Sequence, residues 1–354
     1  MNRGAAALLV TAYVIFLGLA LAFGLLWRTE ELLEAWLLAV LVLAGLATGS
    51  LALLMIGHLF SEAWLRPIRL PLEAAASTLP LVAALLIPVA AGADLVFPWA
   101  AGPVSGIPHL RQLYFDQPFV LFRGVVIVIT WIGVAMMVLW RGRDPRVSAP
   151  GLALVAFTTA VSVIDWVSSR EPTWWSSLFA FAYAVTQLTG AMALALLLAL
   201  LQPGWRPDRR RYHSLQQAAI TLALLTFWVW FAQFLVIWMA NLPSEAAWYI
   251  SRAQGGWLWL KLFVIIPSLL IALALLLPTE PGRTRFVLAA AFLLLNYLAH
   301  MIWIVRPASS SVSHLTWMDL LVWLALGALW GTWIAGIRTA WMSASLPSAE
   351  RRSG

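Results

Sequence analysis

Between two long apolar runs the chain turns polar from Ile164 to Ser176, where Asp165, Arg170 and Glu171 fall together with Pro172 and the tryptophans Trp166, Trp174 and Trp175. A carboxylate at the edge of an apolar segment has two uses. It can exchange a proton with water and pass it on, or it can sit as the fixed partner of an arginine. The same end of the molecule carries Asp94, Asp116 and Arg123. The set therefore offers Asp94, Asp165 and Glu171 as proton-path candidates and Asp116, Arg123 and Arg170 as ion-pair candidates. Asp165 lies just inside the expected end of its helix, about 3 Å of rise, which also suits an interfacial pair with Arg123 or Arg170.

A second titratable group lies at the opposite end. His58 and Glu62 are four apart and share a helical face, and Glu73 follows soon after. These three make a proton entrance, because each can take a proton from water and hand it inward. They also read as a solvated helix end neutralised by Arg66 and Arg69. His213 belongs to the same end.

Other chemistries lack their residues. The chain has no cysteine, which excludes disulfides, thiolate-held iron-sulfur clusters and cysteine-ligated zinc. No P-loop, GxSxG or HExxH pattern occurs. Among the histidines, His58 and His213 lie at one set of helix ends and His109, His300 and His314 near the other, so no matched pair offers itself to a haem. We expect neither an intrinsic redox cofactor nor a metal site.

The elements that position these residues follow from composition. Hydrophobic residues make up 62% of the 354, charged residues 10%, and mean hydropathy is +0.88. Those values define an integral membrane protein. A spanning helix needs about 20 apolar residues, and about ten such runs can be marked: 5–27, 35–59, 72–96, 119–140, 147–167, 174–201, 214–240, 257–277, 286–305 and 315–341. The fold class is all-α, as one polytopic membrane unit over 1–354 that lies in the lipid bilayer. The first run outlasts a signal-peptide core and reads as a span.

The net charge of +7 forms no basic face for nucleic acid. Most of the 22 basic residues, among them Arg66, Arg69, Arg141, Arg143, Arg146 and Arg209 to Arg211, fall on the side of the termini. By the positive-inside rule both termini are then cytoplasmic. The stretch 164–176 is correspondingly periplasmic, as are the two longest connections, 97–118 and 241–256.

The third run carries Ser77, Thr78, Pro80 and Pro88. Internal prolines free carbonyls that need hydroxyl or water partners, so this helix should be kinked and hydrated, either lining a proton route or bending for packing. Tryptophans at helix ends, including Trp27, Trp64, Trp99, Trp140, Trp166, Trp174, Trp175, Trp248 and Trp257, read as interfacial belts. Gln187, Gln233, Asn241, Asn296 and Asp319 read as interhelical hydrogen-bond partners. Lys261 can reach the interface by snorkelling.

Several blocks resemble a known family. Asp165-Trp166 with Arg170 to Ala180 is similar to a stretch of the NrfD-like (polysulfide reductase NrfD) membrane subunits, in particular the ActF-type subunit of alternative complex III. Gly57-His58, Trp64, Glu73, Leu79-Pro80, Phe97-Pro98-Trp99, Tyr114-Phe115-Asp116 and Phe122-Arg123 agree in order with its earlier spans. Phe231, Gln233, Ile237-Trp238, Ala240-Asn241-Leu242-Pro243, Glu245, Trp248-Tyr249 and Arg252 resemble its later signature. Where the family tends to read His-Asp-Leu-Gly-Lys, this chain has His213-Ser214-Leu215-Gln216-Gln217, and its late acidic block is loose around His300 to Val305.

The resemblance implies ten helices with two four-helix bundles, spans two to five (35–167) and six to nine (174–305), plus flanking helices. It implies a membrane subunit of a quinol:cytochrome c oxidoreductase in the bacterial inner membrane, part of a respiratory electron-transport chain. Such a subunit lacks a redox cofactor of its own and contributes structure and a proton path. The complex's substrate would be menaquinol or ubiquinol, and haem c and iron-sulfur clusters would sit on partners. Those partners are a second NrfD-like subunit, a periplasmic iron-sulfur protein and a multihaem cytochrome c, with a terminal oxidase as a further associate. The competing readings are a purely structural scaffold and a secondary transporter.

Overall fold

Within a bilayer every backbone amide and carbonyl must find its partner inside the protein, which leaves the helix as the element for long apolar runs. The computed structural model describes residues 3–60, 62–102, 109–201, 204–205, 207–279, 282–309 and 314–345, with side chains described for all of these except 3–7, 9, 12, 62, 109, 110 and 337–345. The described residues are helices and turns, without a strand. Nine helices among them are long and apolar enough to cross a membrane. The first run is helical as well, as α1 (Arg3–Trp27, 25 residues), with a described apolar portion of Tyr13–Trp27.

The chain continues through α2 (Thr29–Leu59), the interrupted span α3 (Ala63–Ala91), α4 (Gln117–Arg141), α5 (Pro145–Trp166) and α6 (Phe179–Leu200). It ends with α7 (Arg209–Ala240), the short α8 (Pro243–Arg252), the span α9 (Gly256–Leu276), α10 (Arg283–Val305) and α11 (Trp317–Ser345). Helices α2, α3, α4 and α5 pack in a closed ring, each against the next, and α6, α7, α9 and α10 do the same. The rings touch back to back through α2 and α6, and α1 with α11 lies along the outside of α2.

Helix α2 is buried along nearly its whole length. Lipid tails are as apolar as leucine, so close packing and hydrogen bonds must hold helices together here. Gly45 and Gly49 supply the closeness, four apart on one face in a small-xxx-small pattern. A methyl group at Gly49 would lie 2.5 Å from the Gln187 carbonyl oxygen, and one at Gly45 or Gly190 would meet Tyr297. The Tyr297 hydroxyl uses that space to donate to the Val42 carbonyl at 2.7 Å, joining α10 to α2.

The expected kink in α3 is present, as a break at Ser77 and Thr78 ahead of Pro80. Its carbonyls are met by hydroxyls. Ser77 Oγ donates to Ala74 at 2.7 Å, Thr78 Oγ1 donates to Ala75 at 2.6 Å, and Trp330 Nε1 donates to Thr78 Oγ1 at 2.8 Å. The bend is thus sealed by packing against α11. Between α7 and α8 the turn is made by Asn241 at φ 49° and ψ 34°, a left-handed conformation that asparagine tolerates better than most residues, and Pro243 then opens α8 where its missing amide costs nothing.

Candidate functional site

The polar stretch turns at the end of α5. Ser169 Oγ donates to the Asp165 carbonyl at 2.5 Å, and Ser168–Arg170 forms one 3-10 turn. Each side chain that follows is thrown toward a different element. Asp165, fully buried, accepts two hydrogen bonds from Arg123 of α4, from Nε and Nη2, both at 2.9 Å. Arg123 also donates to the Tyr114 carbonyl at 3.0 Å and lies 3.9 Å above the Tyr114 ring. Burial, and after it the Asp165 carboxylate, hold the Tyr114 phenol well above its ordinary pKa. Of the two partners expected for Asp165, Arg123 is the one it has.

Arg170 goes elsewhere. Its Nη2 donates to both oxygens of Glu34 on α2, at 2.7 and 2.6 Å, and its Nη1 to the Val305 carbonyl at 3.0 Å. Glu34 also faces Arg306 at 3.7 Å, and Arg306 donates to Asp319 of α11 at 2.8 Å. Arg170, Glu34, Arg306 and Asp319 thus form one buried chain of alternating charge across both rings and the flanking helix. Glu171 accepts from Arg252 of α8 at 3.1 and 2.7 Å, and Arg252 lies 3.8 Å above the Trp248 ring and donates to the Ile304 carbonyl at 2.8 Å. Burial pulls Arg252 below the usual guanidinium pKa, and Glu171 beside it opposes that shift.

Aromatic side chains complete the stretch. Trp174 stacks on Trp248 at 4.9 Å, meets Phe179 edge-on at 5.0 Å and donates from Nε1 to the Glu245 carbonyl at 3.1 Å. Trp99 donates to Ser169 Oγ at 3.0 Å, and Ser176 exchanges hydrogen bonds with Gln233 of α7. Trp27, Trp140 and Trp175 are exposed, whereas Trp99, Trp174 and Trp248, also read as belt residues, are buried.

The other predicted residues are distributed differently from the sequence expectation. Asp94 and Asp116 are both exposed and join no ion pair among the described residues, Asp116 standing at the N-terminal boundary of α4. At the opposite end, His58 and Glu73 each have a partner of their own. His58 is buried with Nδ1 3.1 Å from Ser148 Oγ of α5, whereas Glu73 pairs with Arg69 at 2.7 Å one turn away. The side chain of Glu62 lies outside the described residues. His213 is exposed on the first turns of α7.

Lys261 is the clearest correction. It does not snorkel: its Nζ turns inward to lie 3.2 Å from His300 Nε2 and 4.2 Å from the Trp303 ring centre. Sequence reasoning also missed Glu34, assigning it to the loop before the second span. Register gives no signal for it, because α2 is buried on every face from Leu32 to Leu51.

Chemically, Asp165, Glu34 and Asp319, which are buried, and Glu171, which is half-buried, are each held by at least one arginine. The class that fold and site define is an all-α, multi-pass membrane protein with one end locked by ion pairs. No family model matches the chain, and no curated protein matches it.

Proposed function

We propose that the chain is a structural membrane subunit of a quinol-oxidising electron-transfer complex, a quinol:cytochrome c oxidoreductase of the alternative complex III kind. One observation carries this reading. The two blocks with the most specific resemblance to the NrfD-like subunits, 165–180 and 231–252, meet at one site through Glu171 with Arg252, Trp174 with Trp248, Trp174 with the Glu245 carbonyl, and Ser176 with Gln233. Those contacts give the resembling residues a shared physical reason.

Within such a complex the chain's part is support. A relay carboxylate must change partners as protons pass, whereas Asp165 and Glu171 are each clamped by a two-pronged arginine. The locked end is a rigid platform on which a periplasmic iron-sulfur protein and a multihaem cytochrome c would sit, beside a second NrfD-like subunit. In this reading the chain lies in a bacterial inner membrane with its termini cytoplasmic, and the redox centres belong to its partners. The test is purification from native membranes in mild detergent, with mass spectrometry of the subunits and a reduced-minus-oxidised spectrum. Co-purifying c-type haem and an iron-sulfur protein are expected, and a chain that purifies with neither would reject the proposal.

A further inference from the structure

Next to the ion-paired end, α7, α8, α9 and α10 line a cavity of about 470 Å³, within the range of small-molecule sites. Most of its wall is apolar, and its rim includes Phe227, Phe231, Phe234 and Leu262, all well exposed on the outer surface of the helices. A ligand would therefore reach it from the hydrocarbon region.

The polar groups inside are few and one-sided. Lys261 Nζ, Tyr249, Asn296, His300 and Trp303 all contribute to the lining. Lys261 pairs with no carboxylate among the described residues; its neighbours are His300 Nε2 and the Trp230 and Trp303 rings. Asn296 and His300 are almost fully buried. An ammonium holds three donors and no acceptor, so His300 Nε2 accepts from it and the ring proton sits on Nδ1. His300 Nδ1, Trp303 Nε1 and the Tyr249 hydroxyl are buried donors that bond no protein acceptor. Among the described residues that line the cavity, Asn296 Oδ1 is a buried acceptor without a partner, while its amide nitrogen donates to the Ile265 carbonyl at 2.7 Å.

The backbone is also irregular here. Lys261–Ile265 is a π-helical turn, followed by Pro267 within the first residues of the next α-helical segment. Such turns insert a residue into the helix and recur at functional sites, because they turn a side chain out of its regular register. This one carries Lys261 toward His300.

A half-buried cation with no carboxylate partner among the described residues, at the polar end of an apolar cavity open to lipid, calls for an anionic head with oxygen acceptors on a hydrocarbon body. Arg252 also lines the cavity, but Glu171 already balances it. A single positive charge matches a single carboxylate. We infer that this cavity binds a long-chain carboxylate taken from the bilayer, with its head on Lys261 Nζ and its chain along the α7 phenylalanines. This site goes beyond the proposed function and does not rest on it.

The test uses the purified full-length chain in detergent and radiolabelled palmitate. Saturable binding is expected, with hexadecanol, which has the same tail and no charge, competing about tenfold less well. Lys261→Met should weaken palmitate binding by about tenfold or more while Lys261→Arg retains most of it. Both variants are checked for an unchanged elution profile in size-exclusion chromatography. Equal competition by hexadecanol would mean apolar partitioning alone and overturn the proposal, a result that needs no variant. Unchanged palmitate binding in Lys261→Met, or displacement of palmitate by phosphatidylglycerol at equal concentration, would overturn it too.

Discussion

Arg170 and Glu34 stand 136 residues apart in the chain and meet, both almost fully buried, in a two-pronged charge-assisted hydrogen bond. Removing one partner of a buried pair leaves the other charged and unsolvated, at a cost of about 3–5 kcal/mol. Glu34→Gln and Arg170→Met should each lower the thermal midpoint of the detergent-solubilised protein sharply. The double variant should cost less than the two added together. Tryptophan fluorescence melts arranged as a double-mutant cycle check this, and strictly additive effects would remove the pair from the account.

Asp165 offers the sharper choice between support and proton transfer. If it is a clamp for Arg123, Asp165→Asn combined with Glu73→Gln lowers yield and stability. In the proposed complex, where it assembles and is reconstituted into vesicles, the proton-to-electron ratio then stays unchanged. A reduced ratio at normal assembly would restore a proton path through this end. Arg123→Lys should also destabilise, since an ammonium cannot supply the parallel donors that Asp165 receives.

Close approach of helices within and between the two rings depends on absent side chains. A methyl at Gly190 or Gly49 falls inside contact distance of Tyr297 or the Gln187 backbone. Alanine there should cost about 1–3 kcal/mol by overpacking. Gly133→Ala, which meets nothing within 4 Å, is the control and should be close to neutral. Thermal melts of the three variants suffice, and equal midpoints would contradict the packing described.

Asn241 holds the turn into α8 with a positive φ. Asn241→Gly should leave stability within about 0.5 kcal/mol, whereas Asn241→Val should cost about 1–2 kcal/mol, since a β-branched residue resists that conformation. Because α8 presents Arg252 to Glu171, the valine variant should also loosen the aromatic cluster around Trp248. A red shift in tryptophan emission at 25 °C would report it.

Trp174 ties the polar stretch to α8 by both stacking and its indole proton. Trp174→Phe should lose about 1 kcal/mol for the hydrogen bond and Trp174→Ala about 3–5 kcal/mol. An alanine variant as stable as the phenylalanine one would mean that the ring is not packed as described.

The spans and the bend in α3 were legible in the residues, whereas Asn241, read as an interhelical hydrogen-bond partner, is instead an exposed turn residue. A run of about 20 apolar residues has only one stable form in lipid, and proline acts on its own backbone. The charged site was legible as a location but not as a set of partners. Sequence put Asp165 near two arginines, left Glu34 outside the second span and let Lys261 reach the interface. Tertiary packing sent Arg170 to Glu34, closed Asp165 on Arg123, left Asp94 and Asp116 in the open and turned Lys261 inward to His300. Local propensity depends on neighbours a few residues away. Pairing of charges depends on how each helix is rotated and how closely it can approach the next, and glycines and aromatic rings far along the chain decide that.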